Sequence, residues 1–224
     1  MARKTKRKFL IGFGFLVAFI IWTLLLLFVD VNTIGAKNTT VGFSTLNGFF
    51  HNLIGTNMLL YEITDWLGLI PIAVALCFAT LGLTEWIKRK SLLKVDEDLF
   101  VLGGFYIVVI FVYALFETVT INYRPILING YLEGSYPSST TLLVTCVMPT
   151  AIMQLNERIK NSKLKHTLTL LITAFISFMV MGRIISGVHW ISDIIGGLLF
   201  SISINLIYSA ATDLAKSKKC QKTN

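Results

Sequence analysis

Charge is what this 224-residue chain has least of: 14% of its residues are Asp, Glu, Lys or Arg, against 54% hydrophobic. Its mean hydropathy is +0.72. Soluble domains carry about 25% charged residues, so an ordinary soluble globule, a nucleic-acid-binding protein and a disordered chain are all excluded. Cysteine is scarce as well. Cys77 and Cys146 fall inside apolar stretches and Cys220 lies in a basic tail, which leaves no disulfide for an outer face. No cluster of His, Cys, Asp or Glu has metal-ligand spacing, so the chemistry is expected to need no metal; no cofactor is expected. No internal repeat or low-complexity segment divides residues 1–224, which read as one domain. The apolar stretches carry no mid-span charge and no matched pair of Gly- or Pro-broken helices, so a transporter or channel lacks support.

What the chain does have is long apolar runs. A helix needs about 20 mostly apolar residues to cross a bilayer. Six runs qualify as spans: about Phe9 to Val29, Leu67 to Leu83, Leu99 to Phe116, Thr141 to Leu155, Thr167 to Ile185 and Ile194 to Ala210. The fourth is the weakest, being short and interrupted by Pro149, which reads as a kink more than a break because neighbouring helices re-satisfy a freed carbonyl. The expected fold is therefore all-α: a polytopic membrane protein with six transmembrane helices in one bundle.

The net charge of +8 supports the same layout. Of 20 basic residues, 17 fall in four clusters, at 3–8, 88–94, 158–165 and 216–222. With six spans and a cytoplasmic N-terminus, all four clusters and both termini are cytoplasmic, as the positive-inside rule asks. The outer side then holds residues 30–65, 117–140 and 186–193. Val41 to Leu60 in the first of these has apolar residues at near-helical spacing, which fits either an interfacial amphipathic helix or a short helix packed on the bundle.

Three basic residues escape the clusters: Lys37, Arg124 and Arg183. The two arginines lie at the outer ends of spans, where an ionisable residue is costly and marks a functional site. Glu117, His189 and Asp193 are close to them in topology. His189 and Asp193 are four apart, a spacing that on a helix lets a carboxylate take one imidazole proton and leave the other nitrogen as a lone-pair nucleophile. Ile184 to Val188 is a stretch able to turn the Arg183 guanidinium back towards that ring. Pro137-Ser138-Ser139-Thr140 precedes the fourth span as an N-cap would, and the free N–H groups of such a first turn bind anions. Taken singly these are an anchor, a hydrogen bond and a cap. Together, on a face otherwise poor in charge, they describe a phosphoryl-transfer site with a His nucleophile and guanidinium groups in the place of Mg²⁺.

The pattern Arg183-x5-His189-x3-Asp193, with Arg124-Pro125 and Pro137-Ser138 upstream, resembles the three-part signature of the type-2 phosphatidic acid phosphatase superfamily. That family holds lipid phosphate phosphatases and, more distantly, vanadium haloperoxidases. The resemblance covers about residues 99–212, a phosphatase-like catalytic core. It implies that His189 forms a phosphohistidine, that Asp193 orients it, and that Arg124, Arg183, Ser138 and the backbone at Ser139 hold the phosphate. The substrate is then a membrane lipid phosphate, met at the outer face of a bacterial plasma membrane.

Three positions depart from the family pattern of Lys-x6-Arg-Pro, Pro-Ser-Gly-His and Ser-Arg-x5-His-x3-Asp. Glu117 stands for the Lys, Gly182 for the Ser and Thr140 for the His. That His is the family's general acid, a role worth about 10²–10⁴ in rate, which Thr cannot fill. A leaving group that needs little protonation is then favoured, so a polyprenyl diphosphate is preferred over a monophosphate, unless a buried Glu117 serves as substitute acid. The alternative is a pseudophosphatase that only binds a lipid phosphate headgroup.

Overall fold

A computed structural model describes residues 2–91 and 95–223. Lys94 of the second basic cluster lies outside the described residues, as do the side chains of Lys218, Lys219, Cys220 and Lys222. The long elements are helices: α1 (Ala2–Phe28), α2 (Ser44–Ile54), α3 (Met58–Leu67), α4 (Leu69–Arg89), α5 (Glu97–Thr118), α6 (Ser139–Arg158), α7 (Ser162–Ser186) and α8 (Ile191–Thr223). Among the described residues β-pairing is limited to isolated bridges such as Tyr123 with Gly134. Five stretches are long and apolar enough to cross a membrane: Arg3–Phe28, Met58–Arg89, Glu97–Thr118, Ser162–Ser186 and Ile191–Ser217. The chain is an all-α integral membrane protein.

The fourth expected span is α6, which is not one of these five. At 20 residues it is about 30 Å long, the thickness of a hydrocarbon core, and it continues through Pro149. What it lacks is apolarity, since Thr140, Thr141, Thr145, Thr150 and Gln154 are all buried along it. It packs against α4, α5, α7 and α8, so its side chains meet protein where those of a peripheral helix would meet lipid. Polar groups are tolerated there because Thr hydroxyls bond to carbonyls one turn back, as Thr150 does to Val147 at 2.7 Å. Around α6 the core is aromatic and aliphatic, with Phe19, Phe105, Tyr136, Leu142, Cys146 and Phe200 in one cluster.

Of the two readings of Val41 to Leu60, packing on the bundle holds, but by two short helices in place of one. Gly55 to Asn57 divide the stretch into α2 and α3, and Asn57 caps α3 by accepting from the Leu60 N–H at 3.0 Å. Helix α3 lies against α7, and α2 against α8. The break between them is seated on the turn that joins α7 to α8. Asn57 donates its N–H to the Ser186 carbonyl at 2.9 Å. Gly187 has φ +63°, and a Cβ there would lie 1.8 Å from the Gly55 carbonyl oxygen, so both conformation and contact require glycine.

Helix α1 runs beside α8, where Ser203 donates to the Gly12 carbonyl at 2.8 Å. Lys8 pairs with Asp213 at 2.7 Å, which puts the two ends of the chain at one end of the bundle. Lys216 pairs there with Glu157, Arg158 with Asp98 at 2.8 Å and Arg89 with Asp96 at 2.9 Å. Each basic cluster thus contributes a member to this end. The expected site residues collect at the other.

Candidate active site

The site forms where the end of α5, the loop 119–138, the start of α6 and the α7–α8 turn meet. A cavity of about 260 Å³ opens there, lined among others by Glu117, Arg124, Glu133, Ser139 and His189. Arg183 is not among its lining residues. It lies behind them, 1% exposed, at the end of α7.

His189 precedes α8 and is buried. Its Nδ1–H donates to the Ser135 carbonyl oxygen at 3.1 Å. A carbonyl only accepts, so the proton resides on Nδ1 and the Nε2 lone pair is free. Nε2 is buried and has no hydrogen-bond partner in the protein. Burial, reinforced by the charges of Arg124 and Arg183, pushes this imidazole well below its ordinary range. The ring is therefore neutral at neutral pH, as a nucleophile must be.

The expected His189–Asp193 hydrogen bond is corrected. Nδ1 and the Asp193 carboxylate are 3.8 Å apart, within reach of charge but beyond a hydrogen bond. The i, i+4 rule needs both residues on a helix, and α8 begins only at Ile191. Asp193 instead accepts from the Trp190 N–H at 2.9 Å, the reach-back of an acidic residue in the first turn of a helix. It fixes the turn that holds His189, and the Ser135 main chain takes the ring proton.

Two other expectations shift. Ser138 is fully buried and caps α6, its Oγ accepting from the Thr141 hydroxyl at 3.0 Å, so it is Ser139 that faces the cavity. Glu117 lines the cavity but is exposed, so the burial that would make it a stronger candidate acid is absent.

Each arginine is met by a carboxylate the sequence pattern did not indicate. Arg124 pairs with Glu133 at 3.2 Å. Arg183 Nη2 donates to Asp65 of α3 at 2.7 Å and also to the Thr140 hydroxyl oxygen. Nε and Nη1 of both arginines remain buried without a hydrogen-bond partner. Tyr61 of α3 lies against both guanidinium groups, 4.9 Å from Arg183 and 5.5 Å from Arg124. Nothing short-range marks Tyr61, Asp65, Glu133 or Ser135 in the sequence. The first two share a face only once α3 is seen to be a helix over Met58–Leu67. Among the described residues no group of three or more His, Cys, Asp or Glu is placed to hold a metal ion.

With the positive charge of two guanidinium groups, a neutral buried imidazole and a helix start gathered together, the arrangement suits a tetrahedral oxyanion. Residues 105–215 match the model of the PAP2 superfamily. The fold is shared with the crystal structure of a transmembrane PAP2-type phosphatidylglycerolphosphate phosphatase from Bacillus subtilis, with a TM-score of 0.54 and 18% identity. That likeness extends over 94% of this chain and 96% of the other. No curated protein matches the sequence.

Proposed function

The chain belongs to the PAP2 superfamily, and on that premise we propose that it is a membrane lipid phosphatase with His189 as its nucleophile. One observation carries the reading: Nδ1 of a buried neutral imidazole is tied to the Ser135 carbonyl, which leaves Nε2 unpartnered beside Arg124. In the first step Nε2 attacks phosphorus, the bond from phosphorus to the leaving oxygen breaks, and a phosphohistidine forms. The imidazolium so created keeps its Nδ1–H bond to Ser135, and its charge is offset by Asp193 at 3.8 Å. Arg124 at the cavity wall stabilises the equatorial oxygens as charge builds on them, with the positive charge of Arg183 behind it and the start of α6 at Ser139 adding N–H groups. In the second step water attacks phosphorus, the bond from phosphorus to Nε2 breaks, and the departing phosphate carries both water protons, which restores the neutral ring with its proton on Nδ1. No residue's part in these steps calls on a metal or cofactor.

The leaving group narrows the substrate. Thr140 occupies the place of the family's acid, and its oxygen already accepts from Arg183. A phosphate leaving from a polyprenyl diphosphate is a modest base that needs little help, whereas an alkoxide leaving from a lipid monophosphate needs a proton. The diphosphate is therefore the preferred substrate, all the more because Glu117 at the cavity wall is exposed and lacks the burial a substitute acid needs. The basic clusters gather at the opposite end of the bundle, so the positive-inside rule turns this site outward from the plasma membrane of a bacterium.

The test is phosphate release by the detergent-solubilised protein across lipid mono- and diphosphates, with His189→Ala as control. Faster release from diphosphates, lost in the control, is the expected result. Release from monophosphates at equal or greater rate overturns the preference. Equal release by wild type and control overturns the enzyme and leaves a headgroup-binding pseudophosphatase.

A further inference from the structure

Two arginines and one aromatic ring make up a unit that neither arginine's own helix supplies. Arg183 lies on α7 and Arg124 in the loop after α5, yet both guanidinium groups lie against the same Tyr61 ring. Like charges at such separation repel, more strongly where water is excluded, and both arginines are at least nine-tenths buried. An aromatic ring attracts a cation through its quadrupole, so a ring within reach of two cations holds them near each other.

Helix α3 approaches closely enough to do this because of two small residues. A Cβ on Gly182 would come 2.6 Å from Thr64 Cγ2, and one on Gly68 would come 3.3 Å from Thr140 Cγ2. Gly182 and Thr140 are two of the positions at which the chain departs from the family pattern, and both lie against the neighbourhood of α3. On that helix Tyr61, Thr64 and Asp65 share a face. Thr64 meets Gly182, Asp65 binds Arg183 Nη2, and Tyr61 meets both arginines. The helix lies wholly outside residues 105–215.

We propose that Tyr61 is the positioning residue of the phosphate-binding arginine pair, with Asp65 as its partner on Arg183. This rests on the reading of the two arginines as the phosphate clamp. Tyr61 lines no part of the cavity and touches no reacting atom. It acts through the arginines, keeping their unpartnered Nε and Nη1 groups gathered for one anion, while Asp65 fixes the Arg183 plane by its far nitrogen. An oxyanion that resembles the reaction's pentacoordinate state should feel this arrangement whether or not the chain turns over a lipid.

The experiment measures orthovanadate binding to the full-length protein in detergent by calorimetry, in wild type, Tyr61→Leu, Tyr61→Phe, Asp65→Asn and Arg183→Leu. Arg183→Leu should abolish binding, which ties the signal to this site. Tyr61→Leu keeps bulk and loses the quadrupole, and should weaken binding roughly tenfold. Tyr61→Phe keeps the ring and should restore it. Asp65 is half exposed, so Asp65→Asn folds in any event and should weaken binding a few-fold. Where turnover is measurable, Tyr61→Leu should raise KM more than it lowers kcat. Wild-type affinity in Tyr61→Leu, Tyr61→Phe as weak as Tyr61→Leu, wild-type affinity in Asp65→Asn, or no vanadate binding by wild type each overturns the proposal. Vanadate binding that follows the ring in a chain that hydrolyses no lipid phosphate sustains the proposal and refutes the phosphatase.

Discussion

Helix α6 has a polar cluster at each end, and the two are built on opposite terms. At its C-terminal end Gln154 is fully buried, donates to Tyr208 at 2.6 Å and accepts from Arg158, which in turn pairs with Asp98 at 2.8 Å. At its N-terminal end Arg124, Arg183 and His189 are buried to a like degree, yet five of their nitrogens have no hydrogen-bond partner. A buried polar group left unpaired costs about 1–3 kcal/mol, so a fold selected for stability alone would close the second cluster as it closed the first. Buried polar groups are common to both ends, Gln154 and Asp98 at one and Arg124, Arg183 and His189 at the other, and satisfaction is what separates structure from site.

The sharpest way to test that contrast is to damage each end and compare. Arg183→Lys keeps the charge and loses the planar fork, and should cut kcat/KM about 10²–10³-fold with little change in melting temperature. Gln154→Leu should do the reverse. It removes bonds from both Tyr208 and Arg158, costs about 1–3 kcal/mol of stability, and leaves kcat/KM per folded molecule unchanged. Thermal unfolding in detergent beside steady-state kinetics reads both. If the two variants behave alike, the distinction between the ends fails.

The pH profile discriminates more finely. Because His189 titrates well below the ordinary imidazole value of about 6.5, the nucleophile stays neutral into mild acid, and the acid limb of kcat/KM should lie below that value. Arg124→Leu removes one of the cations that depress it and should move the limb upward, whereas Gln154→Leu should leave it in place. The same shift costs stability. Between the native and unfolded values the unfolded chain binds a proton that the native chain does not, so stability falls as pH drops through about 6.5. The smallest expected effect belongs to Glu133→Gln. Its carboxylate competes for Arg124 at 3.2 Å from a partly exposed position, so its removal should lower KM by a factor of about two to five. Unchanged KM would show that this ion pair opens without cost.

Much of the bundle could be read from apolar runs, because five of its stretches are long and apolar enough to cross a membrane. Helix α6 was the faintest for the reason given by its place: its Thr-rich surface faces protein. The site divides along a similar line. Arg124, Arg183 and His189 stood out because a charge or imidazole near an apolar run is conspicuous by type. Ser135 did not, since it contributes a main-chain carbonyl that any residue possesses. Asp65 did not either, since its partner is 118 positions away and no local pattern joins them. Asp193 is conspicuous for its spacing from His189 yet serves the Trp190 N–H first, because His189 precedes the helix that begins at Ile191 and helix spacing does not reach back to it.

The contact of Thr64 with Gly182 bears on inheritance as much as on packing. A residue with a Cβ at 182 would collide with α3 at 2.6 Å, so the motif-bearing half of this chain and the hundred residues before it are matched like a lock and its own key. Neither half can drift alone at this junction. A chimaera that joined a relative's Ser-bearing half to this N-terminal half should assemble poorly until Thr64 is made smaller, and the two changes should be found to travel together through descent.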